Sequence, residues 1–392
     1  MTQFFGTNAF KFGLFGINCS GGMAMSVAED RWKADWQEIT EVARLSDEAG
    51  IEFILPIARW RGLGGDSDMW GRSFETFTQA AALGSMTKKT GIFVTAHVPV
   101  FTPVFVAKAI STLDHITNGR VGLNIVCGWN ADEFRMHGVA IDGEHRYDQG
   151  LEWASVVERI LKGEPEFDFK GQYYDLLGLT TDPLPVQKPR PPIMSAGSSA
   201  GGQAFAAKIA DILFTTFSSL DQITASMQSL KAQAAAHGRT PEIYGQTFFV
   251  CRPTRKEAED YYYHFAEEKA DLGALNYLKR QKTATISKRT LAGETEADRT
   301  IMQRMTEPDR LGVGRMEHST GKRYSGMFPG IYPIVGTPDD VVAELVRIQQ
   351  IGIAGATAVF MNYLKELPYF VQEVLPRLER LGLRQKVRET TA

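Results

Sequence analysis

Only three cysteines occur in the 392 residues, Cys19, Cys127 and Cys251, and their wide spacing and odd number exclude a disulfide framework and a cysteine-based zinc cluster. Reduced thiols and no metal site are the expectation. An excess of either charge is also missing: 43 basic residues face 46 acidic ones, so neither nucleic acid nor an anionic membrane surface is an expected partner. No apolar run reaches the length of a membrane span, and the first ten residues lack the basic segment and long apolar stretch of a secretory leader. A cytoplasmic protein is expected.

What is present is enough chain to bury a large core, with a strand-then-helix pattern repeated along it. Strands are expected at 12–18, 52–57, 91–97, 121–126, 193–195, 211–215, 244–250 and 356–361, most of them followed by a stretch with apolar residues at helical spacing. The first four repeats contain no hairpin signal, which points to a parallel sheet of the α/β class. Eight such strands in one chain suggest a (β/α)8 TIM barrel with insertions at the C-terminal face, residues 1–392 forming a single domain. Between 273 and 330 the periodicity fails, basic clusters such as Lys279-Arg280-Gln281-Lys282 appear, and several glycines break any long helix. A stretch of that kind reads as a mobile lid insertion.

Polar residues gather where strands end. Asn124 interrupts an otherwise apolar strand after the turn Asn118-Gly119, so its amide is satisfied either by a neighbouring strand or by a ligand. Gly128-Trp129 then sets a small residue and a large flat one at the carboxyl end, where α/β proteins hold ligands. Thr95 and His97 end the third strand; His97 is a candidate acid or base, although a lone strand-end histidine is more often structural. The loop Ala58-Arg59-Trp60-Arg61-Gly62-Leu63-Gly64-Gly65 is either a surface basic loop or a seat for an anionic or planar ligand. Ser195-Ala196-Gly197-Ser198-Ser199-Ala200-Gly201-Gly202 joins a strand to a helix start. Its outward amides, with Ser198 and Ser199, suit a monophosphate better than a dinucleotide.

These separated motifs, together with Arg146-Tyr147, occur in an order that resembles the bacterial-luciferase-type flavin-dependent monooxygenases over nearly the whole chain, closest to the pyrimidine oxygenase and dimethylsulfone monooxygenase branch. The resemblance implies a barrel that binds FMN as FMNH2 delivered by a separate NAD(P)H-dependent flavin reductase, uses O2 as co-substrate, and oxygenates a small organic molecule such as an amide heterocycle, sulfone or sulfonate. It implies FMN contacts at Ala58, Arg59, Asn124, Glu133, Arg146, Tyr147 and Ser199. Thr95 and Asn124 would lie beside the flavin's reactive edge, with Trp129 lining that pocket. Asn18, Ser20, Trp60 and His97 are the candidates for substrate contact, and a homo-oligomer, dimer or tetramer, is implied. The chain departs from the branch at Cys127, at 18–23 and at 273–330. A deazaflavin-dependent oxidoreductase on the same fold and a non-catalytic flavin-binding relative are the rival readings; the presence of Thr95, Asn124, Arg146 and Ser199 favours catalysis.

Overall fold

The computed structural model describes residues 6–139, 145–197, 199–290, 326–328 and 330–385. The apolar runs become strands β1 (Lys11–Phe15), β2 (Phe53–Leu55), β3 (Gly91–His97) and β4 (Val121–Val126). The antiparallel hairpin of β5 (Phe167–Lys170) and β6 (Asp175–Leu179) follows, then β7 (Ile193–Ala196), β8 (Ile212–Thr215), β9 (Glu242–Cys251), β10 (Tyr332–Gly336) and β11 (Gly355–Val359). Pairing runs β1, β2, β3, β4, β7, β8, β9, β11 and back to β1, always parallel, so the eight expected strands close into a (β/α)8 barrel. No described helix is long and apolar enough to cross a membrane.

The register fixes how the barrel is staggered. Thr95 pairs with Asn124, Asn124 with Met194, Met194 with Ile212 and Ile212 with Glu242. In the other direction Ile92 leads through Ile54, Leu14 and Ala358 to Thr247, so the level of Thr95, three residues further on, meets β9 at Val250. The two routes reach β9 eight residues apart, at Glu242 and Val250, which is the stagger of a TIM barrel with strands tilted about 36°.

Phe53, Leu55, Phe93, Met194, Ile212, Phe214 and Tyr244 point inward and fill the lower barrel. Gly13 and Gly122 make room for them: a Cβ on Gly13 would stand 2.0 Å from Phe53 Cε2, and one on Gly122 would stand 2.4 Å from Phe93 Cε1. Gly13→Ala is therefore expected to destabilise the fold by about 1–3 kcal/mol through overpacking, read as a lower urea midpoint. An unchanged midpoint would show that the aromatic layer gives way freely.

Two features differ from the sequence expectation. β10 is a ninth strand of the sheet, paired with residues Thr247 to Cys251 of β9. β9, ten residues long, outruns the four-residue β8, and β10 satisfies the ladder groups left open on that edge. The stretch read as irregular from 273 onward begins with the helix Leu272–Thr290. Its first turns bury Ala274, Leu275 and Leu278 on one face, but from Lys279 on the sequence is mostly polar and basic, so no apolar period runs the length of the helix. It is held by Asp271, which accepts from Ser67 N at 2.7 Å and Ala274 N at 3.0 Å, and by Asp132, which accepts from Gln281 Nε2 at 2.5 Å and Tyr277 Oη at 3.3 Å. The rest of the expected lid, 291–325 and 329, lies outside the described residues.

Candidate active site

β3 and β4 bring Thr95 and Asn124 side by side on the inward face, each two residues beyond a position of the interior layer, Phe93 and Gly122. The Pro56 carbonyl can only accept, so Thr95 Oγ1 donates to it at 2.6 Å and must in turn accept from Asn124 Nδ2 at 3.1 Å. That chain of bonds sets the amide's orientation and leaves Asn124 Oδ1 buried without a partner. An orphaned acceptor of this kind costs about 1–3 kcal/mol unless a ligand meets it. Thr95 therefore orients Asn124, and its only proton is already engaged.

A second group forms the wall beside this pair. Arg59, on the loop after β2, meets Glu133 of the helix Ala131–Met136 at 2.5 Å, with side chains only 7% and 1% exposed. Glu133 also accepts from Trp60 N at 3.0 Å and Arg61 N at 3.3 Å, next to buried Ala58. The Arg59 guanidinium lies 4.7 Å from the rings of both Trp70 and half-buried Trp129. Trp70 is held in the left-handed region, φ 68°, and its indole donates to Gly22 O at 2.7 Å.

The third group has the chemistry that suits an anion. Ser199 caps the helix Ala200–Ile209, accepting from Gly202 N at 3.1 Å, and hydrogen-bonds Tyr147 Oη at 3.1 Å. Arg146 Nη2 donates to the same Tyr147 oxygen at 3.1 Å, while its buried Nε has no partner. No carboxylate pairs with Arg146 among the described residues. A Cβ on Gly197 would stand 2.5 Å from the Gly202 carbonyl carbon, so the turn needs glycine to pack against the helix start. An unneutralised arginine beside free helix amides fits a phosphate. Ser198 lies outside the described residues.

The four substrate candidates divide. Asn18 is fully engaged, donating to Ile57 O at 2.8 Å and Phe74 O at 3.0 Å and accepting from Ile57 N at 2.9 Å. Ser20 accepts from Arg72 N at 3.3 Å and its backbone bonds to Trp70 and Arg72, so both residues hold the wall together. Trp60 Nε1 and His97 Nδ1, by contrast, are buried and unpartnered. Burial, then the nearby charges of Arg59 and His137, push the His97 pKa down to about 3, so the ring is neutral at physiological pH and too weak a base for proton abstraction. Cys127 is buried beside Gly150 and its thiol is pushed up to about 12 by desolvation, which rules out a thiolate nucleophile near neutrality.

Gln246 Nε2 and Thr357 Oγ1 are also orphaned and buried, on paired positions of β9 and β11. The sequence signal that marked Asn124, a polar residue within an apolar strand, was present at both. A cleft of about 560 Å3 lies at the opposite, amino-terminal end of the strands, where Arg190 and Arg239 pair with Glu158 and Asp211. Those mutually neutralised groups join the helix Arg146–Lys162 to the strand starts and offer no orphaned atom to a ligand.

Known proteins resemble this chain over nearly its whole length. The FMNH2-dependent dimethylsulfone monooxygenase of Pseudomonas putida is 27% identical over 374 residues, 95% of this chain and 96% of that protein. The pyrimidine monooxygenase RutA of Acinetobacter baylyi is 27% identical over 372 residues, 93% of this chain and 94% of its own length. The crystal structure of DmoA from Hyphomicrobium sulfonivorans superposes with a TM-score of 0.78 at 19% identity, over 97% of this chain and 90% of that one. The family model described as Luciferase-like monooxygenase matches residues 10–355, from the first barrel strand to the start of the last, and the chain belongs to that family.

Proposed function

We propose that this chain is a cytoplasmic, two-component monooxygenase that receives reduced FMN from a separate NAD(P)H-dependent flavin reductase and transfers one atom of O2 to a small organic substrate, an amide heterocycle such as a pyrimidine or a sulfone or sulfonate. The observation that carries the reading is the pairing, on one barrel rim, of an unneutralised Arg146 at a helix start with the orphaned acceptor Asn124 Oδ1. The names of the relatives, FMNH2-dependent and pyrimidine monooxygenases, support the same cofactor and chemistry.

Bound reduced FMN supplies the electrons and the activation of oxygen. The chain's own residues do the rest. Arg146, Tyr147, Ser199 and the amides of the helix Ala200–Ile209 hold the phosphate. Asn124, oriented by Thr95, offers an acceptor to a ring N–H, and reduced flavin carries such donors where the oxidised form has bare nitrogens. The Arg59–Glu133 pair, clamped between Trp70 and Trp129, closes the wall and keeps water from the reacting centre. A dimer or tetramer is part of the proposal, and sedimentation of the purified protein checks it.

Anaerobic titration tests the reading. Wild type should bind reduced FMN tightly, and Arg146→Met should bind it about 10- to 100-fold more weakly, the loss expected for one charge-assisted contact. Absence of tight binding by the wild type would end the two-component proposal. With a flavin reductase supplied, Asn124→Leu should lose on the order of a hundredfold in transfer of labelled oxygen to product, read by mass spectrometry. Wild-type transfer rates in that variant would remove Asn124 from the reacting centre.

A further inference from the structure

We infer that Gln246 and Thr357 form a substrate-binding end of the pocket that grips an uncharged oxygen acceptor, a carbonyl or sulfonyl oxygen. This rests on the flavin reading above and names the substrate class for the same site.

The position follows from the register. β9 and β11 each stand four strands round the ring from β3 and β4, directly across the barrel. The two pairing routes from Thr95 meet β9 at Glu242 and Val250, and Gln246 lies midway between them. With the stagger spread evenly over eight strands, Gln246 stands at the height of Thr95, and its register partner Thr357 stands at the height of Asn124. Both side chains face inward: Gln246 is two residues beyond the interior Tyr244, and Thr357 pairs with Gly13, whose missing Cβ faces Phe53. Phe15 and Phe214, with ring centroids 5.4 Å apart, lie on the strands between the two polar pairs, Phe15 only partly buried. Two polar pairs therefore face each other across the barrel, with these aromatic rings between them.

The chemistry follows from the atoms left over. Gln246 is 3% exposed and Thr357 0%, yet Gln246 Nε2 and Thr357 Oγ1 have no partner. An amide nitrogen only donates and a hydroxyl can donate, so an acceptor oxygen is a group that both atoms can serve together. From this pair upward the inward positions of β9 are Gln246, Phe248 and Val250, and those of β11 are Thr357 and Val359, none of them charged. An anion here would be buried without a counter-charge, whereas the anion-binding Arg146 serves the phosphate side. The same two groups suit a neutral carbonyl or sulfonyl oxygen.

Matched ligand pairs test this: dimethyl sulfone against methanesulfonate, and uracil against its 6-carboxylate, each titrated into the FMN complex and read by perturbation of the flavin spectrum. At least one neutral member should bind tenfold or more tightly than its anionic partner. Gln246→Leu and Thr357→Val, both close in shape to the native residues, should each weaken that binding about tenfold while leaving the Kd for reduced FMN within twofold, which also reports that the variants fold. Anions binding as well as their neutral partners, no neutral ligand binding, unchanged affinity in both variants, or an equal loss of FMN binding would each overturn the inference. Failure of the wild type to bind FMN would instead count against the flavin reading itself.

Discussion

Glu133→Leu is expected to lower the free energy of unfolding by about 3–5 kcal/mol, the range for removing one partner of a buried ion pair. The carboxylate is 1% exposed and serves three donors, the Arg59 guanidinium at 2.5 Å and the Trp60 and Arg61 amides. Without it a guanidinium remains buried between two indoles, whose faces attract a cation by about 0.5–2 kcal/mol, too little to replace a carboxylate. The double variant Arg59→Met with Glu133→Leu should recover part of the loss, because the stranded charge is then gone. Urea unfolding of the two variants decides the point. A single variant as stable as wild type, or a double variant no better than the single, would mean the pair is not the clasp of this wall.

The second large effect is a dependence on pH that resides in His97. Its folded pKa, about 3, is far below the ordinary value near 6.5, so between those limits the unfolded chain binds a proton that the native chain does not. Stability must then fall as pH falls through this window. The contribution at pH 5 is about 2 kcal/mol relative to pH 7, and on the order of 4 kcal/mol by pH 3.5. His97→Gln, which cannot take up a proton in either state, should therefore become more stable relative to wild type by those amounts as the solution is acidified. Parallel curves for the two proteins from pH 7 to pH 5 would show that the native imidazole is protonated after all. The groups facing it, Arg59 and His137 together with the ring of Phe134, offer a proton no counter-charge.

Much of the architecture was readable from local pattern. The eight barrel strands and their helices showed as apolar runs and helical periods because each is buried on known faces, and a buried face writes its period into the sequence. β10 and the helix Leu272–Thr290 did not show, since one is a five-residue patch answering a need of β9 and the other carries its apolar face, Ala274, Leu275 and Leu278, in its first turns and is mostly polar in sequence beyond them. Within the site, Arg146, Tyr147 and Ser199 were found by motif and do meet, Oη to Oγ and Nη2 to Oη at 3.1 Å each. Arg59 and Glu133, both expected at the ligand, bind each other across 74 residues.

The sequence by itself determined where the eight barrel strands and most of the helices lie, that the charges are nearly balanced, and that small and hydroxyl residues open the helix after 193–196. These are properties of short windows, and local sterics and solvation decide them. Only the tertiary structure decided which polar atoms are free. Asn18, Ser20 and Thr95 have their hydrogen bonds filled by distant backbone, while Asn124 Oδ1, His97 Nδ1, Gln246 Nε2 and Thr357 Oγ1 do not. Whether a buried donor or acceptor finds a partner depends on strand register and on the stagger with which the barrel closes, and those join residues such as Gln246 and Thr357 that are far apart along the chain.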